Sequence, residues 1–141
     1  MMSFFNTIDD LNKLTKGTLM ESLEIRFVES SDETLTAEMP VNNRTIQPYG
    51  FLHGGATMAL AESVGSALSL LSLSDRTFIA VGVEINANHL LPVREGSIKA
   101  KASFLRKGNS IHVIDIRVTD ISGQLISICR LTNKIVKKEE L

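Results

Sequence analysis

One long helix-forming stretch stands alone in this chain, with two strand-like runs before it and four after it. From Ala56 to about Leu73, Leu60, Val64, Ala67, Leu68 and Leu71 recur at helical spacing. The stretch is also slim, because Ala56, Ala59, Ala61, Gly65 and Ala67 let neighbouring backbone come close. A helix apolar over most of its circumference is expected to be wrapped by other elements. Within it lies Glu62, the single carboxylate between Arg44 and Asp75. A lone acid among small and apolar residues is costly to bury without a partner or a task.

The flanking segments predict what does the wrapping. Thr7 to Leu14 offers a Thr cap, early acids and helical apolar spacing, so residues 1–20 are expected to hold one short helix ending near Gly17. Leu23 to Ser30 alternates apolar and charged residues through Phe27, and Thr34 to Met39 alternates again across a Ser31-Asp32-Glu33 turn, which predicts a hairpin closed by Pro40. Residues 42–55, with Pro48 and three glycines, read as a loop. After the helix come four predicted strands: Phe78 to Leu91, Ser97 to Arg106, Ser110 to Asp120 and Gln124 to Val136. The tail 137–141 reads as solvated. Short turns between the last strands disfavour parallel pairing, which needs long crossovers. The expected class is α+β, an antiparallel sheet curled around one long central helix. That order is the pattern of the hotdog fold.

Composition removes several functions. The 141 residues suit one domain with a core of its own. With 15 basic and 16 acidic residues the net charge is −1, which argues against electrostatic binding of nucleic acid or acidic membranes. No run is long and apolar enough to span a bilayer, and the start, Met1 to Asp10, lacks the pattern of a signal peptide. One cysteine, Cys129, cannot pair within the chain and reads as a packed thiol, so a cytoplasmic location is expected. The three histidines and Cys129 have no ligand-like spacing, so no metal is expected. No Gly-x-Ser-x-Gly elbow is present.

Two blocks are more specific. Arg44-Thr45-Ile46-Gln47-Pro48-Tyr49-Gly50-Phe51-Leu52-His53-Gly54-Gly55-Ala56 continues into Leu60-Ala61-Glu62-Ser63-Val64-Gly65-Ser66, and Gly82 to His89 follows on the long strand. Together, in this order, they closely resemble the bacterial hotdog acyl-CoA thioesterases (PaaI-like). The likeness is greatest to the branch that includes the menaquinone-pathway 1,4-dihydroxy-2-naphthoyl-CoA hydrolase and the enterobactin proofreading thioesterase. The resemblance implies hydrolysis of an aromatic or medium-chain acyl-CoA, with CoA part of the substrate and no resident cofactor. It implies Glu62 as nucleophile or as general base for water, and the Gly54 N–H at the helix start as donor to the thioester carbonyl. Gln47 and His53 would orient the thioester or the water, and Ser66 would contact the acyl or water side. His89, Arg94 and the Gly108-Asn109-Ser110 turn would hold the CoA arm. It further implies a homodimer at least, or a tetramer built as a dimer of dimers, with Glu62 facing the 47–54 loop of another subunit.

The residue chemistry is compatible. Gly54 and Gly55 let backbone approach a ligand, and helical spacing sets Glu62 and Ser66 about one turn apart on one face. Plainer readings stand beside it, and Glu62 itself could simply face solvent from the helix surface. His53 is also a natural helix cap, Gln47 an ordinary loop amide, Ser66 a hydroxyl able to bond back to its own helix, and His112 a plain strand residue. Two other functions fit the same architecture: a non-catalytic acyl-CoA-binding module and a hotdog dehydratase acting on 3-hydroxyacyl thioesters.

Overall fold

The computed structural model describes residues 7–141, so the reading of the start up to Asn6 lies outside the described residues. Thr7 caps α1 (Ile8–Leu14) in a reciprocal box. Its hydroxyl accepts the Asp10 N–H at 3.1 Å, and the Asp10 carboxylate accepts the Thr7 N–H at 3.3 Å. Gly17, at φ 73°, breaks the chain away. A second short helix, α2 (Leu19–Ser22), then forms where none was expected, capped by the Thr18 hydroxyl on the Met20 N–H. It delays β1, which runs Arg26–Ser30 rather than from Leu23, and Glu24 takes a left-handed φ of 56° at the exit.

β1 pairs with β2 (Thr34–Pro40) as the predicted hairpin. The later strands are β3 (Phe78–His89), β4 (Ser97–Lys107), β5 (Ile111–Asp120) and β6 (Leu125–Lys137), each within two residues of its expected bounds. A 3-10 turn, Lys138–Glu140, follows in the tail. All pairings are antiparallel and the sheet order is β1-β2-β4-β5-β6-β3. This is the predicted hotdog arrangement: the strand after the helix crosses to the far edge, and the meander β4-β5-β6 fills the centre.

The long helix, α3, runs Gly54–Leu71, starting two residues earlier than its apolar pattern because His53 caps it from the loop. It packs on β2 to β6 through Thr57, Leu60, Ala61, Val64, Gly65, Leu68 and Ser69. Gly65 sets the depth of that packing, since a Cβ there would lie 2.6 Å from Leu131 Cδ2. Opposite lie Ile98, Ala100, Ile114, Ile116, Val118 and Leu131, all fully buried. The sheet covers one face of the helix and α1 and α2 lie beside the other, so that within α3 only Gly55 and Glu62 are exposed.

The two sheet edges differ. Along β1 the Asn12 amide acts as a surrogate strand, donating to the Phe27 carbonyl at 2.9 Å and accepting the Phe27 N–H at 2.9 Å. β3 pairs only with β6, and Val83 near its middle is 56% exposed. Among the described residues, no helix is long and apolar enough to cross a membrane.

Candidate active site

The site grows from the loop that delivers the chain into α3. Within it, Ile46 bridges Leu52, the Gln47 N–H donates to the Phe51 carbonyl at 2.9 Å, and Gly50 turns at φ 84°. The Leu52 N–H bonds the Val93 carbonyl at 2.7 Å and the His53 N–H bonds the Thr45 carbonyl at 2.8 Å. These bonds fix where the first turn of α3 begins. The Gln47 Oε1 accepts the Tyr49 N–H, which holds its side chain against the loop.

His53 is the helix cap that the plain reading offered. Its Nδ1 accepts the Gly55 N–H at 2.8 Å, and its carbonyl takes the N–H groups of Ala56 and Thr57. That leaves the Gly54 N–H, which among the described residues meets no acceptor. A first-turn donor, reinforced by the helix dipole and lacking a side chain in front, suits a carbonyl oxygen that gains negative charge. The His53 reading and the Gly54 reading are therefore complementary: the cap spends one donor and frees its neighbour.

His89, at the end of β3, comes to the same place. Its Nε2 lies 2.7 Å from where a Cβ on Gly54 would stand, and its Nδ1 lies 3.1 Å from Ser127 Oγ. Ser127 also donates to the Asn88 carbonyl at 3.1 Å, so the imidazole is held from behind. Ser127 was not singled out in the sequence, since a strand serine carries no motif. Gln47, Phe51, Gly54, His89 and Ser127 line one cavity of about 380 Å³. Arg94 does not line it; it donates to the Tyr49 carbonyl at 3.2 Å with its guanidinium 5.4 Å from the Phe51 ring centre.

Glu62 lies elsewhere. It and Ser66 line a larger cavity of about 720 Å³, together with Leu14, Leu19 and Met20 from α1 and α2 and Ile79 and Ile85 of β3. Glu62 is the only charged side chain in that lining. Among the described residues its carboxylate makes no hydrogen bond or ion pair. It rests over Gly82, where a Cβ would collide with its Oε1. Ser63 rather than Ser66 bonds back to the helix, at 2.6 Å to the Ala59 carbonyl, which leaves the Ser66 hydroxyl to the cavity. From Gly54 to Glu62 is more than two turns, or about 12 Å of helix rise. Within one chain the carboxylate and the backbone donor thus open into different cavities.

The Gly108-Asn109-Ser110 turn is separate again. Gly108 and Asn109 line a cavity of about 260 Å³ with Asp75, Lys107 and His112, apart from Gln47 and Gly54. The chain does not bring together the residues ascribed to the CoA arm. Two other expectations resolve by burial. Cys129 is buried and burial pushes its thiol pKa up, which is the packed thiol that was read. His112 is more than a plain strand residue: only 2% exposed, it bonds Ser69 Oγ at 3.0 Å and meets the Phe104 ring edge-on. Burial lowers its pKa below 6.5, a neighbouring Lys107 charge acting in the same direction.

Known proteins share this frame. The thioesterase superfamily profile matches residues 49–127, from the loop through α3 to β6. A 1,4-dihydroxy-2-naphthoyl-CoA hydrolase of Escherichia coli is 42% identical over 92% of this chain and 95% of its own. A thioesterase of Haemophilus influenzae superposes with a TM-score of 0.90 at 37% identity, covering 96% of this chain and 93% of that one. A mutant thioesterase of Pseudomonas aeruginosa gives 0.91 at 43% identity, covering 93% and 94%. Likeness of this extent, running through the loop, the helix and the strand that carry the site, makes the chain a thioester hydrolase belonging to the thioesterase superfamily.

Proposed function

We propose that the chain hydrolyses an acyl-CoA whose acyl group is a small aromatic ring system or a medium-length chain, releasing the acid and free CoA. The observation that carries this reading is the 720 Å³ cavity, apolar on nearly all sides, with Glu62 as its one charged group. Such a space favours an apolar acyl group over a polar one. The naphthoyl substrate of the Escherichia coli relative falls in the same class.

The active site is proposed to be shared between two copies. Glu62 cannot reach the carbonyl that its own Gly54 N–H would hold, whereas a twofold axis beside the Glu62 face of α3 sets Glu62 of one copy opposite Gly54 of the other. The open β3 edge supplies the pairing surface, since an unpaired strand of this length needs covering. In this arrangement Gly54 stabilises the oxyanion, and Gln47 and His53 orient the thioester. Glu62 attacks the carbonyl carbon or draws the proton from the water that does. Ser66 lies on the acyl side. The CoA arm passes His89 and Arg94, and the Gly108-Asn109-Ser110 turn joins it from another copy.

A panel of benzoyl-, naphthoyl- and medium-chain acyl-CoAs, read by release of free thiol, tests the reading. The wild type is expected to cleave members of this panel, and Glu62→Gln to lose at least about a hundredfold in kcat. Absence of thiol release from every member would overturn the substrate class.

A further inference from the structure

Behind Glu62 lies a line of three buried polar side chains that neither the loop nor the helix motif accounts for. Asn133 of β6, with no exposed surface, donates from Nδ2 to Ser69 Oγ of α3 at 2.9 Å, and Ser69 Oγ lies 3.0 Å from His112 Nδ1 of β5. One atom is left over. Asn133 Oδ1 is the only buried side-chain nitrogen or oxygen among the described residues without a hydrogen-bond partner. Buried acceptors are rarely left open, because nothing replaces the water they give up.

The place it faces gives the reason. Gly82 is the strand partner of Asn133, and Asn133 Oδ1 lies 3.7 Å from where a Gly82 Cβ would be. A Cβ at that position would also collide with Glu62 Oε1. Gly82 does not have a positive φ, so glycine there provides room rather than a special backbone shape. The strand is hollowed at one residue, and the Glu62 and Asn133 side chains both border the hollow.

The direction of the hydrogen bonds follows from the far end. A neutral imidazole has one N–H. If that proton sits on Nε2, Nδ1 must accept, so the Ser69 hydroxyl donates to it. Ser69 Oγ then takes the Asn133 Nδ2–H, and the amide oxygen is turned outward. We propose that Asn133 is a positioning residue for Glu62, its Oδ1 held by the Ser69–His112 pair to accept a hydrogen bond from Glu62 in its protonated form. This rests on the acyl-CoA hydrolase reading above and adds that Glu62 works as a general base. The water oxygen bonds to the carbonyl carbon and its proton moves to Glu62, where Asn133 Oδ1 receives the new O–H. The C–S bond then breaks, and Glu62 returns the proton to the departing CoA sulfur.

Two measurements on the intact protein test this. In long-range 1H–15N spectra His112 is expected as the Nε2–H form, whereas the Nδ1–H form would free the Ser69 hydroxyl from donating to His112, remove what fixes the amide orientation, and overturn the proposal. In steady-state kinetics Asn133→Val is expected to lower kcat about tenfold with KM within about twofold, and to leave the residual rate of Glu62→Gln unchanged. Equal losses in both backgrounds would mean a merely structural role and overturn it. The tautomer is read in the unsubstituted protein, so a poorly folding Asn133→Val still leaves a decisive result. Wild type that cleaves no acyl-CoA sinks the hydrolase reading, whereas an active wild type with additive losses sinks only this one.

Discussion

At the scale of single residues, the site is set as much by what glycines leave out as by what side chains put in. Gly82 makes room for the Glu62 carboxylate, and Gly54 leaves its N–H uncovered beside the His89 ring. Neither has a positive φ, so alanine is tolerated by the backbone at both positions. Gly82→Ala is expected to fold with an unchanged or slightly raised Tm, because it also reduces the freedom of the unfolded chain. It should still lose about tenfold or more in kcat by displacing Glu62. Thermal unfolding and thiol release measured on the same sample check both halves. A variant that folds and keeps full activity would show that the carboxylate need not rest over Gly82.

At the scale of elements, α3 has two faces with different duties. The buried face is apolar except for Thr57 and Ser69, and Ser69 joins His112 and Asn133 in the only buried side-chain network that crosses from helix to sheet among the described residues. Burial holds the His112 pKa below 6.5. The sign follows from proton uptake: above 6.5 both folded and unfolded chains leave this histidine neutral, and its stabilising contribution is whole. As pH falls below 6.5 the unfolded chain binds a proton that the folded chain resists, so stability drops until the lowered folded value is passed. The urea midpoint is expected to fall between about pH 7.5 and about pH 5, and to fall less in His112→Gln. Equal slopes in the two proteins would remove His112 as the cause.

At the scale of the whole molecule, one chain presents an open strand edge and a candidate site whose parts open into two cavities. The proposed second copy would answer both. Glu62→Gln and Gln47→Ala, each weakly active alone, are expected to recover activity when refolded together from equal amounts. Heterodimers then make up about half of the population and carry one intact site in two, so about a quarter of the wild-type activity should return. Recovery no greater than the mean of the two variants would place both residues at the same single-chain site. Light scattering of the wild type should give at least twice the chain mass.

The element order, the helix pattern and the short late turns were enough to derive the fold, because hydrophobic periodicity is local and the one sheet able to cover α3 is the sheet that follows it. The candidate motif around Gln47, His53, Gly54 and Glu62 could be singled out for a similar reason: loop, cap and carboxylate are close in sequence. α2 could not, since four residues carry too little periodicity. How far the sheet covers α3 also escaped sequence reading, because apolar content does not say how far a sheet can curl. Only the tertiary structure showed that Glu62 and Gly54 open into separate cavities, that His89 stands against Gly54, and that Gly82 and Asn133 meet behind Glu62. These placements join residues from β3, β5, β6 and α3 that lie tens of positions apart. Chain spacing determined which chemistry was present, and strand register, which no local pattern encodes, decided which groups met.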